Sequence, residues 1–301
     1  MDNWRVLDFT SFTGELHYQR GQLVTIRDDG ERQVVPLADV ATVLLGLRVA
    51  VAPAVLHQLA AFDVITLICD WNGTPSAAMN SWSDHTRIGA RHKAQFEVSV
   101  PRRKNAWMQI VRAKVAGQAA NLKVFEHKDW EKLAAMVPLV RSGDPDNVEA
   151  RAAGYYWRRL FDGDKFSRVP RGEEARNGML DYGYAVLRGF GIRSVLAAGL
   201  SPSLGVFHRN RSNAFNLVDD VIEPFRPAID YVVATTPAEM SLAHPAVKHR
   251  LVAASSQVFG PDGLAVSAVL TDLAQQLGRY MEGDVEKLTV RSWPGPTKGT
   301  A

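Results

Sequence analysis

The chain has 301 residues and a net charge of +3, room for two domains of ordinary size or one large one. Its 46% hydrophobic and 22% charged residues are the proportions of a soluble globular protein and exclude disorder as its organising feature. The single cysteine, Cys69, excludes an internal disulfide and a cysteine-built metal site, and fits a reducing cytoplasm.

The opening Met-Asp-Asn-Trp-Arg lacks the charged-then-apolar pattern of a secretory signal. No apolar run is long enough to span a bilayer, so no membrane partner is expected. Short apolar-rich runs at Val6–Phe9 and Leu16–Tyr18 read as strands. Gln22–Arg27 meets the turn Asp28-Asp29-Gly30 and returns as Gln33–Val35, a hairpin. Val40–Leu45 is a buried-strand pattern. Pro53–Phe62 has helical spacing with proline in its first turn, where the missing N–H is harmless. Val64–Cys69 is a further strand, closed by a turn at Asn72-Gly73, and places Cys69 as a small buried hydrophobe.

From about Ser83 the period changes. Trp107, Ile110, Val111, Lys114, Val115 and Gln118 fall at helical spacings, and Ala-rich helical patterns fill the remainder. The fold class expected is α+β, a small N-terminal β-rich domain over 1–78 and a larger C-terminal α-helical domain over 79–301. The domains meet in the polar stretch Asn72–Ser83. The tail Trp293–Ala301, from about 294, reads as mobile.

Charge is unevenly placed. Between Arg87 and Lys123 stand nine Lys or Arg and one acid, Glu97, and a second basic stretch runs through Arg151, Arg158, Arg159, Lys165, Arg168 and Arg171. Such clustering on a near-neutral chain suits a polyanion, although solvated helix faces explain charge alone more simply.

His208 is followed closely by Asp219, Asp220 and Glu223, with another acid upstream at Glu149. Carboxylates suit hard cations such as Mg²⁺ and Mn²⁺, and an imidazole tilts a site towards Mn²⁺. Each acid also has a plain structural reading. Asp146 and Glu149, like Asp220 and Glu223, have capping-box spacing, and a histidine after apolar residues is more often structural. A first-turn carboxylate kept ionised by the helix dipole serves either reading. The residues alone support a metallonuclease with a basic surface, and no persuasive Ser or Cys triad competes with it.

Three ordered strings sharpen this: Asn177-Gly-Met-Leu-Asp-Tyr-Gly-Tyr-Ala-Val-Leu-Arg188, Ala198-Gly-Leu-Ser-Pro-Ser-Leu-Gly-Val-Phe-His208 and Phe215-Asn-Leu-Val-Asp-Asp-Val-Ile-Glu-Pro-Phe-Arg-Pro227. Together with Glu149-x-x-Ala-Ala-x-x-Tyr-Trp157 and the Trp107–Lys114 helix, they resemble the CRISPR adaptation integrases, the CRISPR-associated Cas-one endonuclease family. The Glu-Pro-Phe-Arg-Pro form resembles the type II branch. Asp181 departs from the asparagine expected there and touches no proposed ligand.

The resemblance implies a helical catalytic domain in which Glu149, His208 and Glu223 hold Mg²⁺ or Mn²⁺, with Asp220 as an additional acid and no role for Asp219. It implies strand transfer, in which the 3′-hydroxyls of short foreign DNA attack phosphodiesters of the CRISPR repeat, with endonuclease activity when water replaces the sugar hydroxyl. The implied partners are double-stranded DNA (spacer precursor and repeat), a second copy in a homodimer, a dimer of the small Cas-two protein, and other type II effector proteins. Arg209, Arg211 and Arg226 are candidate phosphate contacts near the ligands. Arg87, Arg91, Arg102, Arg103 and Lys104 are candidates for the DNA backbone. Neutral imidazole is the ligand form, so activity should fall at acidic pH. The rivals are a DNA-binding assembly subunit without catalysis, its acids serving as caps, and an unrelated helical metalloenzyme.

Overall fold

A computed structural model describes residues 5–79, 85–161, 166–170 and 172–296. The architecture is α+β, and the chain divides into unit 1, residues 1–82, and unit 2, residues 83–301. Unit 1 contains β1 (Arg5–Phe9), β2 (Gly14–Gln19), β3 (Gln22–Arg27), β4 (Arg32–Pro36), β5 (Val40–Leu45), β6 (Val49–Val51), α1 (Pro53–Ala61), β7 (Ile65–Cys69) and β8 (Pro75–Met79).

The strands form two four-stranded sheets, ordered β1-β5-β7-β8 and β4-β3-β2-β6. All six residues of β5 are buried and it runs parallel to both β1 and β7, so its unbroken apolar run marks a strand covered on both faces. Gly30, at φ 85°, allows the turn that sets Val24 of β3 opposite Val34 of β4. The polar stretch after Asn72 supplies β8. Asp70 accepts the N–H groups of Asn72 and Thr74, both at 2.9 Å, and turns the chain back so that β8 runs antiparallel to β7. Leu16, Leu23, Val43, Val55 and Leu59 lie in the core between these elements.

Unit 2 is helical: α2 (Ile88–Glu97), α3 (Val100–Val124), α4 (Trp130–Ala134), α5 (Val148–Leu160), α6 (Ala175–Ala197), α7 (Asn216–Val221), α8 (Arg226–Ala234), α9 (Pro245–Ala253) and α10 (Val266–Glu282). A single 3₁₀ turn, Glu223–Phe225, joins α7 to α8. Ser99 caps α3 by accepting the N–H of Arg102 at 3.4 Å, and Pro101 sits harmlessly in the first turn. Helix α6 packs on α7 at Gly191. A Cβ there would stand 2.7 Å from Cγ2 of Ile222 and 2.8 Å from Cγ1 of Val218, so any larger residue pushes the acidic helix away.

The expected mobile tail is corrected at its start. Trp293 is 1% exposed, packs at a tilt against the rings of Phe259 and Tyr231, and donates its indole N–H to Asn121 at 2.8 Å. An indole that buries its ring and satisfies its one donor is an anchor. The remainder of the tail, from residue 297, lies outside the described residues, as do Lys165 and Arg171 of the second basic stretch. Among the described residues no helix is long and apolar enough to cross a membrane.

Candidate functional site

Glu149 does not close a capping box. The chain before α5 passes through left-handed Asp144 and Asn147 (φ 47° and 49°), and the carboxylate of Asp144 accepts the N–H groups of Val148 and Glu149, both at 2.9 Å. Asp146 instead pairs with Arg141 at 2.8 Å. The helix start is therefore satisfied without Glu149, whose side chain is left for the interior. Nor does Asp220 cap a helix start: it lies within α7, and its partners are in the preceding loop.

Glu149 and Glu223 meet on Lys114 of α3. The ammonium Nζ stands 2.6 Å from Oε1 of Glu149 and 2.7 Å from Oε2 of Glu223, while Arg226 reaches the other oxygen of Glu223 at 3.1 Å. Burial alone would lower the Lys114 ammonium and raise the Glu223 carboxyl. The surrounding opposite charges outweigh it in both cases, holding Lys114 above and Glu223 below their ordinary values. Both carboxylates face the Lys114 ammonium.

His208 is fixed by Asp220, whose carboxylate is fully buried. Oδ2 of Asp220 accepts the N–H groups of Val206 and Phe207 at 2.7 and 3.0 Å. Its Oδ1 accepts the N–H of His208 at 3.2 Å and faces the ring nitrogen Nδ1 at 2.7 Å. With four donors around it, Asp220 orients the loop and the ring instead of joining Glu149 and Glu223 on a common cation. Gly205 makes this close approach possible, since a Cβ there would stand 2.8 Å from Oδ2 of Asp220 and 2.4 Å from the carbonyl oxygen of His208. Phe207 stacks flat on buried Trp107 at 4.3 Å, and the same indole meets the His208 ring edge-on. The Asp220 hydrogen bond raises the His208 imidazole above its ordinary value, burial opposing. With Nδ1 engaged, Nε2 is the nitrogen left for a ligand.

His208 lines a cleft of about 430 Å³ with Phe96, Arg103, Arg209, Arg211 and Asn213. Arg209 and Arg211 are exposed, and burial together with the Arg209 charge pushes the Arg103 guanidinium down, the mark of a positive concavity.

Other sequence candidates are occupied elsewhere. Arg226 is an internal partner of Glu223 and lies over the Tyr184 ring at 4.8 Å, which corrects its reading as a phosphate contact. Arg91 is buried against Glu282 at 2.7 Å, with Arg87 on the same carboxylate at 2.9 Å. Arg102 donates to the carbonyls of Tyr280 and Val285 and lies over the Tyr280 ring. These guanidiniums tie α2 and α3 to the end of α10, so Arg91 and Arg102 are not backbone contacts for DNA. Lys104 is exposed but lays its stem against Gly143. Asp219 holds Arg188 at 2.9 Å, and Asp181 pairs with Arg168 at 2.5 Å.

Beneath Arg226 lies a network without any counterpart in the sequence reading. Asp230 accepts from Tyr184 and, at 3.1 Å, from Tyr156. Asn121 donates to the Tyr156 hydroxyl at 2.9 Å and to the carbonyl of Pro227 at 2.7 Å. Burial drives the Asp230 carboxyl up to about 7, against two tyrosine hydroxyls and Arg226 that favour its charged form. A folded value above the ordinary 3.8 gives stability that is fully present in acid and is lost as pH rises towards 7. Asp230→Asn is therefore expected to gain on the parent in thermal melts as pH rises from 4 to 7, by at most about 1.4 kcal/mol per pH unit. A pH-independent gap overturns this assignment.

As the side chains stand, no group of three or more His, Cys, Asp or Glu among the described residues is arranged to hold a metal ion. Lys114 occupies the space between the two carboxylates.

The family model described as CRISPR associated protein Cas1 matches residues 9–244. The chain belongs to the Cas1 family. The CRISPR-associated endonuclease Cas1 of Neisseria meningitidis serogroup C (strain 8013) is 38% identical over 222 residues, 73% of this chain and 72% of its own. Among solved structures, a casposase bound to integration product superposes with a TM-score of 0.76 at 19% identity, covering 98% of this chain and 94% of that one. A chain of a Cas6-RT-Cas1–Cas2 complex gives 0.73 at 16% identity, covering 99% of this Cas1 chain and 37% of that one. At such identities the two structures speak for the fold alone.

Proposed function

We propose that this Cas1 chain is a divalent-metal-dependent DNA integrase and endonuclease of CRISPR adaptation, joining 3′-hydroxyl ends of short foreign DNA to the CRISPR repeat. The observation that carries the reading is the meeting of Glu149 and Glu223 on one cationic point, beside a cleft that holds His208 and three arginines. Family membership and the endonuclease relative support it.

Two carboxylates and the Nε2 of an oriented imidazole are a donor set suited to Mg²⁺ or Mn²⁺, and an ammonium seated between the carboxylates marks their oxygens as a cation site. The residues fit such an ion once Lys114 gives way. Glu149, His208 and Glu223 would hold it. When bound, it supplies Lewis-acid polarisation of a phosphoryl oxygen and acidifies the attacking hydroxyl.

The chain's own residues do the remaining work. Asp220 accepts the Nδ1 proton of His208 and keeps the Nε2 lone pair outward. Arg103, Arg209 and Arg211 position phosphates, and Phe96, 79% exposed at the cleft, offers a face to a base. In the reaction the 3′-oxygen forms one P–O bond, another breaks, and the departing 3′-oxygen takes up a proton. No protein nucleophile takes part.

The proposal includes double-stranded DNA as substrate, a homodimer and a Cas2 dimer as scaffold, and the type II branch with its effector proteins. The first and third of these partners are carried over as proposals from neighbours of the same fold, one a casposase bound to integration product and one a chain of a Cas6-RT-Cas1–Cas2 complex. The test is strand joining on supercoiled repeat-containing DNA. Joining is expected with Mg²⁺ or Mn²⁺, to vanish with chelator, and to fall more than about 100-fold in Glu149→Ala, beyond what outer-shell partners cost. Joining by Glu149→Ala at the parent's rate sinks the proposal and leaves an assembly subunit.

A further inference from the structure

Lys114 is the one buried lysine of α3, on the face that otherwise carries Trp107, Ile110, Val111 and Val115. Burying an ammonium on an apolar helix face is costly unless it is paired, and here it is paired twice, at 2.6 and 2.7 Å. The charge count around it is closed: Glu149 and Glu223 against Lys114 and Arg226. A divalent ion added to this set would leave an excess of two positive charges in a buried site. It would also compete for the carboxylate oxygens that face Lys114, since a ligand oxygen lies about 2.0–2.1 Å from Mg²⁺ and the ammonium stands at 2.6 and 2.7 Å from those same oxygens.

We propose that Lys114 is a built-in counter-cation of the Cas1 site: its ammonium holds Glu149 and Glu223 together while no divalent ion is bound, and withdraws from both when one binds. The inference rests on the metal-dependent reading above and assigns Lys114 a positioning role in it. Two ionised carboxylates brought together without a cation would repel each other and splay. A resident ammonium keeps them converged, and its removal is the cost the incoming ion meets. Metal affinity is therefore set by competition between a metal ion and a side chain for one pair of carboxylates. A merely structural lysine, buttressing the packing of α3 against α5, would remain in place when metal binds.

The test uses the full-length protein and Mn²⁺ alone, without DNA. In the parent, amine labelling read by peptide mass is expected to modify Lys114 slowly without metal and about tenfold faster with saturating Mn²⁺, while exposed Lys104 labels at one rate throughout. In Lys114→Met, Mn²⁺ affinity measured by electron paramagnetic resonance should tighten about tenfold relative to the parent. Because the methionine variant leaves Glu149 without its ammonium and risks failing to fold, the labelling of the parent stands as a test by itself.

Mn²⁺ binding that is lost in Glu149→Gln but leaves Lys114 labelling unchanged overturns the counter-cation role and spares the metal site. So does equal or weaker affinity in a folded Lys114→Met. Mn²⁺ binding indifferent to Glu149→Gln overturns the metal-site reading itself, and the counter-cation role with it.

Discussion

Alanine at position 208 is expected to cut strand joining more than about 100-fold while DNA binding and thermal stability stay close to those of the parent. The side chain of His208 is 41% exposed, and its ring makes one hydrogen bond, to Asp220, and edge contacts with Trp107 and Phe207. Removing it leaves Asp220 with three backbone N–H groups to accept, so the loop keeps its shape. Arg103, Arg209 and Arg211 remain in the cleft to hold phosphate. Paired measurements of joining and of salt-dependent DNA affinity separate the two roles. Loss of affinity in step with joining would make His208 a binding residue, and full joining would remove it from the chemistry.

Asp220→Ala is expected to do more damage to the fold than His208→Ala, although Asp220 is not placed to join the other acids on a cation. The substitution strips the acceptor from the N–H groups of Val206, Phe207 and His208 and from Nδ1, and leaves a cavity behind a fully buried carboxylate. An orphaned buried donor costs about 1–3 kcal/mol, and water can reach part of this loop, so a total of about 3–5 kcal/mol is expected in chemical denaturation. Asp220→Asn separates shape from chemistry. One amide oxygen still accepts, so most stability survives, but the amide no longer fixes the imidazole proton on Nδ1, and joining should fall about 10–100-fold. Equal joining by the asparagine variant would show that the ring is oriented by Trp107 and Phe207 alone.

These two residues show where reading the chain in one dimension stops. Strands with an unbroken apolar run or a Gly-bearing turn, such as Val40–Leu45 and the hairpin around Gly30, announce themselves because local geometry decides them. The short strand β6 has too few residues to show alternation, and β8, Pro-Ser-Ala-Ala-Met with none of its residues buried, lacks the β-branched and aromatic residues that mark a strand. The capping alternative for Glu149 fails for a definite reason. Capping-box spacing assumes extended backbone before the helix, whereas Gly143, Asp144 and Asn147 all take left-handed angles and hand the task to Asp144. Arginines 91, 102 and 226 look alike to any count of charge. Only the fold shows that Glu282, the Tyr280 carbonyl and Glu223 claim them, leaving Arg103, Arg209 and Arg211 for the cleft. Lys114 did carry a signal. A lysine in phase with Trp107 and Ile110 on the apolar face of a helix demands a buried acid as partner.

The bond from Trp293 to Asn121 joins positions 172 apart, and Asn121 in turn bonds Tyr156, which donates to Asp230. During synthesis the bed beneath Arg226 therefore stays open until residue 293 has left the ribosome. A nascent chain that already contains every charged residue of the site still lacks the indole that closes its floor. Long-range closure of this kind waits on the later of its two partners, so this floor is completed only after Trp293 has been made.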